Sequence, residues 1–143
     1  MTVRSAKEED LAFVEETARD RIPDTLSSET LLRPYLSDPD FLLLILEEED
    51  DVGYLLFRLE GKEAEIDEIA LRRGKDGMGR GSTLLEEGLA VLRKKGISKV
   101  FLEVRAANES AIRLYEKAGF RPYRVRKGYY GNEDALCYQK ELI

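Results

Sequence analysis

The 143-residue chain contains no histidine and no tryptophan, and it has a single cysteine. Without histidine, a Ser-His-Asp triad, a His-ligated zinc site and imidazole acid-base chemistry are excluded. Catalysis, if there is any, rests on carboxylates, tyrosine, lysine or the backbone. One cysteine, Cys137, can form neither an internal disulfide nor a thiolate cluster, which fits a reducing compartment, and no metal is expected. Its alternating setting, ALCYQKEL, reads as a strand in which Cys137 is a small buried hydrophobe. Long apolar runs are also missing: FLLLIL is six residues, where a bilayer span needs about 20. The opening MTVRSAKEEDL carries no apolar signal segment, so the expected compartment is the cytoplasm, with no membrane partner. Asn and Gln are scarce, with only Asn108, Asn132 and Gln139, and alongside 36% charged residues this is the pattern of thermophile proteins. Positive charge is in deficit as well. Lys+Arg 23 against Asp+Glu 29, a net charge of -6, argues against a nucleic-acid partner, whose binding needs a basic footprint.

What remains is a chain of the right length for one domain, residues 1–143, with 43% hydrophobic residues to build a core. Ser5 and Glu8 form a capping-box pattern before a helix that ends near Pro23, and residues 22 to 27 make a loop. A short helix follows Ser28. Residues 41 to 48, 53 to 59 and 64 to 72 alternate as three strands of a meander. The period then changes to that of a helix, STLLEEGLAVLRKK, stopped by Gly96, before the strand SKVFLEVR. A helix capped by Asn108 and closed by Gly119 leads to two last strands, RPYRVRKGYY and EDALCYQKEL, in a hairpin around Gly131 and Asn132. The strand-helix-strand crossover from 64 to 105 requires a parallel pair, so the sheet is mixed and the class is α+β.

Residues 72 to 81 place Gly77, Gly79 and Gly81 where a strand gives way to a helix N-terminus. Exposed amides and the helix dipole converge there, which suits an anion. A tight connection with a solvated basic rim would look the same. The run Asp76-Gly77-Met78-Gly79-Arg80-Gly81, followed by Ser82-Thr83-Leu84-Leu85, resembles the Q/R-x-x-G-x-G/A pyrophosphate motif of the GNAT superfamily of N-acetyltransferases. LEVRAANESAIRLYEKAGF follows in that family's order and is the more specific match. Tyr129-Tyr130 with Glu133-Asp134-Ala135, and Ile22-Pro23-Asp24, are similar to the branch that acetylates protein N-termini, including ribosomal-protein alanine acetyltransferases.

The resemblance implies a GNAT fold, a mixed central sheet of about seven strands flanked by about four helices. It also implies acetyl-CoA held by Gly77, Met78, Gly79, Arg80, Gly81 and Ser82, by the strand Ile69-Ala70-Leu71 and by Asn108. Asp76 departs from the family's Gln or Arg. A charge at a helix terminus is worth about 0.3 to 1 kcal/mol, so the expected penalty is about fivefold at most, with Lys75 and Arg80 available to offset it.

Acetyl transfer to an amine needs a base, an oxyanion site and a proton donor for the leaving thiolate. Glu103 lies mid-strand opposite in facing to Leu102 and Val104; by itself it is equally a solvent-facing carboxylate, and the resemblance makes it the general base, acting through water. Tyr115 is explained equally by core packing, and the resemblance makes it the general acid. The oxyanion falls to backbone amides of residues 69 to 71. An α-amine near pKa 7.8 is neutral in roughly one molecule in seven at pH 7, against roughly one in 2,500 for lysine. The acceptor expected is therefore a protein or peptide N-terminus, such as that of a ribosomal protein, lying between Pro23-Asp24 and Tyr129-Tyr130, with Asp24 drawing the protonated amine. The alternatives are a small amine (polyamine, amino acid or antibiotic) as acceptor, or a non-catalytic CoA-sensing module.

Overall fold

The computed structural model describes all 143 residues. Its elements run β1 (Thr2–Ser5), α1 (Leu11–Arg21), α2 (Glu29–Leu32), β2 (Phe41–Glu47), β3 (Asp51–Glu60), β4 (Glu63–Leu71), α3 (Arg80–Lys94), β5 (Lys99–Arg105), α4 (Glu109–Lys117), β6 (Arg121–Arg126) and β7 (Ala135–Glu141), with 3-10 turns before α1 and after α2. The strands form one seven-stranded sheet in the order β1-β2-β3-β4-β5-β7-β6. It is the mixed α+β GNAT fold expected, since β4 and β5 are parallel and every other neighbouring pair is antiparallel. No helix is long and apolar enough to cross a membrane.

Each face of the sheet has its own core. Leu44, Leu46, Leu55 and Phe57 pack against Leu84, Leu85, Leu89 and Leu92 of α3 and Tyr115 of α4. On the other face, Leu43, Ile45, Tyr54 and Leu56 pack against Leu11, Val14 and Ala18 of α1 and Leu32 of α2. The alternation of β2 and β3 thus feeds two layers, as a sheet buried on both sides must. Packing under α3 is tight: a Cβ on Gly88 would come within 2.6 Å of Leu55 and 3.1 Å of Phe57.

Two irregularities open the middle of the sheet. The β3-β4 register shifts after Leu56, pairing Leu56 with Glu68 but Phe57 with Ile66, so Asp67 is an extra residue in β4. A bulge of this kind reverses which residues face which layer. Ala64 and Ile66 belong to the α3-α4 core before it, and Ile69 and Leu71 lie against the same core after it. Then β4 and β5 separate. They pair only at Glu63-Lys99, Ala64-Val100 and Glu65-Phe101, whereas β5 pairs with β7 along its whole length.

Three sequence readings change. Ser5 is strand rather than helix cap, paired with Leu44 of β2; the turn into α1 is closed by Asp10, which accepts from the Lys7 amide at 2.7 Å. The first strand was hidden by its shortness. The last hairpin is also shorter than its sequence suggests: its strands stop at Arg126 and resume at Ala135, leaving Tyr129 and Tyr130 in the connection, where the Tyr130 amide bonds Glu133 at 3.0 Å. Third, α3 begins at Arg80, capped by Gly79 in the left-handed region (φ 73).

The edge strand β1 is secured by Arg4, which donates to Asp10 at 2.8 and 2.9 Å and to Asp51 at 3.2 Å. Arg4 holds the Asp10 carboxyl far below its usual range. Burial, with Asp10 alongside, pushes Asp51 up from 3.8 to about 6. A carboxyl whose pKa rises on folding binds more protons in the fold, so stability falls as pH climbs from 3.8 through about 6. Asp67, desolvated to about 6, acts in the same direction. Urea unfolding should therefore give a larger free energy at pH 5 than at pH 7, and Asp51→Asn should shrink that difference; an undiminished difference would place the effect elsewhere.

Candidate active site

Where β4 and β5 diverge, backbone groups lose their partners. The Arg72 amide donates to Val52 of β3 at 2.8 Å. By the two-residue alternation of a strand, Ala70 faces β3 in the same way, and Ile69 and Leu71 turn their N-H and C=O groups toward the gap. Unpaired strand edges bind extended amide-bearing chains. The gap opens into a cleft of about 820 Å³, whose lining includes Ile69, Ala70 and Leu71 on one side and Ala111 and Leu114 of α4 on the other.

The cleft ends at the start of α3, lined by Gly77, Gly79, Gly81 and Ser82. Gly79 carries no side chain to cap the helix. The first bonds of the turn are Arg80 to Gly77 and Thr83 to Gly79, so the amides of Gly81 and Ser82 have no acceptor in the protein. Free amides at the positive end of a 15-residue helix are an anion site. Asn108 borders the same cleft and caps α4, accepting from the Ala111 amide at 3.2 Å. The cap thus leaves Asn108 at the border of the cleft, where the resemblance expects it.

Nine of the ten residues expected at the cofactor thus line one cleft. Met78 does not; its side chain is 86% exposed, on a residue with φ 58. The charge account at the loop also changes. Asp76 is neutralised by Arg21 of α1, which donates to it at 3.0 and 3.2 Å. Arg80 turns away to Glu48 at 2.8 Å, so it offers its backbone position rather than its charge. On the same side, Arg73 is held by Asp20 at 3.0 and 3.1 Å.

Glu103 and Tyr115 lie outside this lining, on opposite faces of the sheet. Val100, Leu102 and Val104 join the α3-α4 core with Tyr115, so Glu103 points to the α1-α2 face. There Arg126 Nε stands 3.1 Å from Glu103 Oε1. The Arg126 N-H is not aligned on that oxygen and has no other acceptor. Cys137, buried as expected, directs its thiol to the same oxygen at 3.9 Å. Tyr115 packs edge-on to Phe120, ring centroids 5.8 Å apart, and burial pushes its phenol well above the ordinary range.

The two predicted acceptor elements meet on the Glu103 face through a residue that the sequence pattern does not single out. Arg105 bonds Asp24 at 2.6 Å and lies 4.0 Å over the ring of Tyr130, which packs edge-on to Tyr129 at 5.1 Å. Asp24 is therefore occupied by Arg105 and is no free lure for an amine. Pro23 precedes it in the loop after α1, where Asp24 takes a φ of 62. A second unforeseen group fixes the same loop: Glu68, next to the bulge, accepts from Tyr54, Thr25 and Ser27, each at 2.8 Å. Tyr54 is fully buried, and desolvation beside Glu68 keeps it a phenol.

Similar proteins share this arrangement of strands. A profile of the acetyltransferase (GNAT) family matches residues 8–120. A Bacillus subtilis protein provisionally named a ribosomal protein bS18-alanine N-acetyltransferase is 29% identical over 137 residues, 94% of this chain and 91% of that protein. The Escherichia coli enzyme of that name is 41% identical over 78 residues, a stretch of 52% of this chain and 53%, about half, of the relative. The crystal structure of the ribosomal-protein-S18-alanine N-acetyltransferase from Escherichia coli superposes with a TM-score of 0.86 at 27% identity, over 99% of this chain and 93% of that one. A profile that runs from before α1 to the end of α4, on a fold shared along nearly the whole chain, leads to one conclusion: the chain belongs to the acetyltransferase (GNAT) family of N-acetyltransferases.

Proposed function

We propose that residues 1–143 act as one acetyltransferase domain that moves the acetyl group of acetyl-CoA to the α-amine of a protein or peptide N-terminus, by direct attack in a ternary complex. The observation that carries this reading is the unpaired edge of β4, continuous with the free amides of Gly81 and Ser82. A thioester arm with amides along its length and a pyrophosphate at its end fits that sequence of groups. The relatives' names point to the acceptor: the amine of a ribosomal protein's terminal alanine is an α-amine.

In this reading, Ile69 and Leu71 hold the arm, and their gap-facing amides meet the oxygen on which charge develops. The acceptor approaches from the α1-α2 face, between the Pro23-Asp24 loop and Tyr129-Tyr130. Arg105 joins these two walls, and Glu68 braces the first through Thr25 and Ser27. Glu103 takes the amine proton through a water. The misaligned Arg126 contact orients that carboxylate without consuming its acceptor sites. Tyr115, neutral and buried, donates a hydrogen bond toward the leaving sulfur. Because burial lifts its pKa further above a thiol's value near 8.5, it stabilises the sulfur's charge by hydrogen bonding more than by complete proton release.

Three outcomes test this. Gly81→Val should weaken CoA binding at least tenfold in calorimetry without unfolding the protein, since a Cβ there meets only ordinary contacts at 3.7 Å or more; unchanged affinity would put the pyrophosphate elsewhere. Tyr115→Phe and Glu103→Gln should each lower turnover on the order of 10²-fold, the Glu103 variant losing most at low pH, where the amine is protonated. Equal turnover in Tyr115→Phe, or a loss in Glu103→Gln that is uniform with pH, would remove the corresponding role. In product analysis by mass spectrometry with mixed acceptors, peptide α-amines should outrun polyamines and lysine side chains; the reverse order would select the small-amine reading.

A further inference from the structure

The cleft is positive on a chain whose net charge is -6. Five cations line it, Arg21, Arg73, Arg80, Arg113 and Lys117, against the carboxylates of Asp20 and Asp76. Three of the five are already matched: Arg21 with Asp76, Arg73 with Asp20, and Arg80 with Glu48. Arg113 and Lys117 form no ion pair. The nearby acids of α4 do not serve them: Glu116 accepts from Tyr138 at 2.8 Å, and Glu109, one turn before Arg113, makes no salt bridge.

Their spacing explains how both reach the cleft. Ser110, Arg113, Leu114 and Lys117 recur at three and four residues, so they form one stripe of α4. Leu114 is the half-buried part of that stripe, and Ser110, Arg113 and Lys117 stand exposed along it. The free amides of Gly81 and Ser82 already suit a pyrophosphate. Two unmatched cations and a hydroxyl on the facing helix are surplus to that need and suit a further, separate dianion.

We infer that Arg113 and Lys117, with Ser110 beside them, form a subsite for a phosphate monoester on the nucleotide end of the donor, which in CoA is the 3′-phosphate of the ribose. The inference rests on the acetyl-CoA reading and deepens it: the protein distinguishes CoA from dephospho-CoA through α4. Arginine and lysine contribute charge-assisted bonds to phosphate oxygens, about twice as strong as neutral ones. Because these bonds form at an exposed rim, they weaken with added salt.

The test is a cycle of calorimetric binding measurements on the intact protein, with CoA and dephospho-CoA as ligands and Arg113→Ala/Lys117→Ala as the variant. Both positions are exposed, so the fold should persist, which a thermal melt checks. Wild type should bind CoA on the order of 10-fold more tightly than dephospho-CoA, and the double variant should bind both with the wild type's dephospho-CoA affinity. Raising the salt should erode the wild-type preference and leave the variant flat. Equal wild-type affinity for the two ligands would overturn the subsite and leave the donor reading intact. Parallel weakening of both ligands in the variant would also overturn it, by assigning the cations to the pyrophosphate. If wild type binds neither ligand, the donor reading itself fails.

Discussion

The rest of the structure depends on hydrogen bonds that β4 and β5 do not make. Parallel neighbours in a sheet normally stay paired to their ends, because an unpaired buried backbone group costs as much as a lost hydrogen bond. Here pairing stops after Glu65 and Phe101, and both strands continue. Each is held from its far side. β4 stays on β3 through Leu71, while β5 is paired with β7 from Lys99 to Arg105. The wedge between them is therefore imposed by two rigid halves of one sheet, and its polar edge remains open to water or to a ligand. The bulge at Asp67 lies just after the point of divergence. It sets Ile69 and Leu71 against the α3-α4 core, at the edge of the cleft.

Arginine does much of the joining across the gap. Arg105 sits at the end of β5 and binds the loop after α1 through Asp24 and the last connection through Tyr130. Arg21 and Arg73 meet the carboxylates of Asp76 and Asp20 in the opposite sense, each pair linking α1 to the segment before α3. Exposed pairs of this kind contribute little stability one by one. Their value is geometric, since a planar guanidinium fixes the direction of the carboxylate it meets, and Arg105 holds two partners at once. They connect the α1 region to both walls of the wedge. Glu68 completes the frame from below by gathering Tyr54, Thr25 and Ser27.

Much of this was legible in the chain. The glycine loop, the Asn108 cap and the period change after Gly81 located the cleft, because helix termini and turn residues act locally and leave local signals. The short β1 was obscured because Ser5 and Glu8 imitate a cap, and only pairing with Leu44, far along the chain, decides for strand. Arg105-Asp24 and Arg21-Asp76 join residues 81 and 55 positions apart, and no local pattern marks such partners. Arg113 and Lys117 lay between the two cases. They stand four residues apart in a helix and so share one face, but no local pattern marks that face as the border of a cleft. The family resemblance named Glu103 and Tyr115, yet it could not show that they stand on opposite faces of the sheet.

That separation gives the absence of histidine a physical meaning. Imidazole titrates near neutrality and can serve as acid and base in one site. Here the candidate acid and base occupy different environments, a buried phenol held protonated by desolvation and a carboxylate beside an arginine and a thiol on the other face. Under the proposed mechanism no proton has to pass directly from one to the other, because the amine would give its proton on one side and the sulfur would receive hydrogen-bond support on the other. The carboxyls that burial brings to about 6, Asp51 and Asp67, have other tasks: Asp51 secures the β1 edge through Arg4, and Asp67 pairs with Arg58 at 3.4 Å. A rise in rate between pH 6 and 8 would accordingly follow the acceptor's own α-amine, whose pKa lies near 7.8, so the pH profile should move with the identity of the acceptor's terminal residue and remain unmoved by Asp51→Asn.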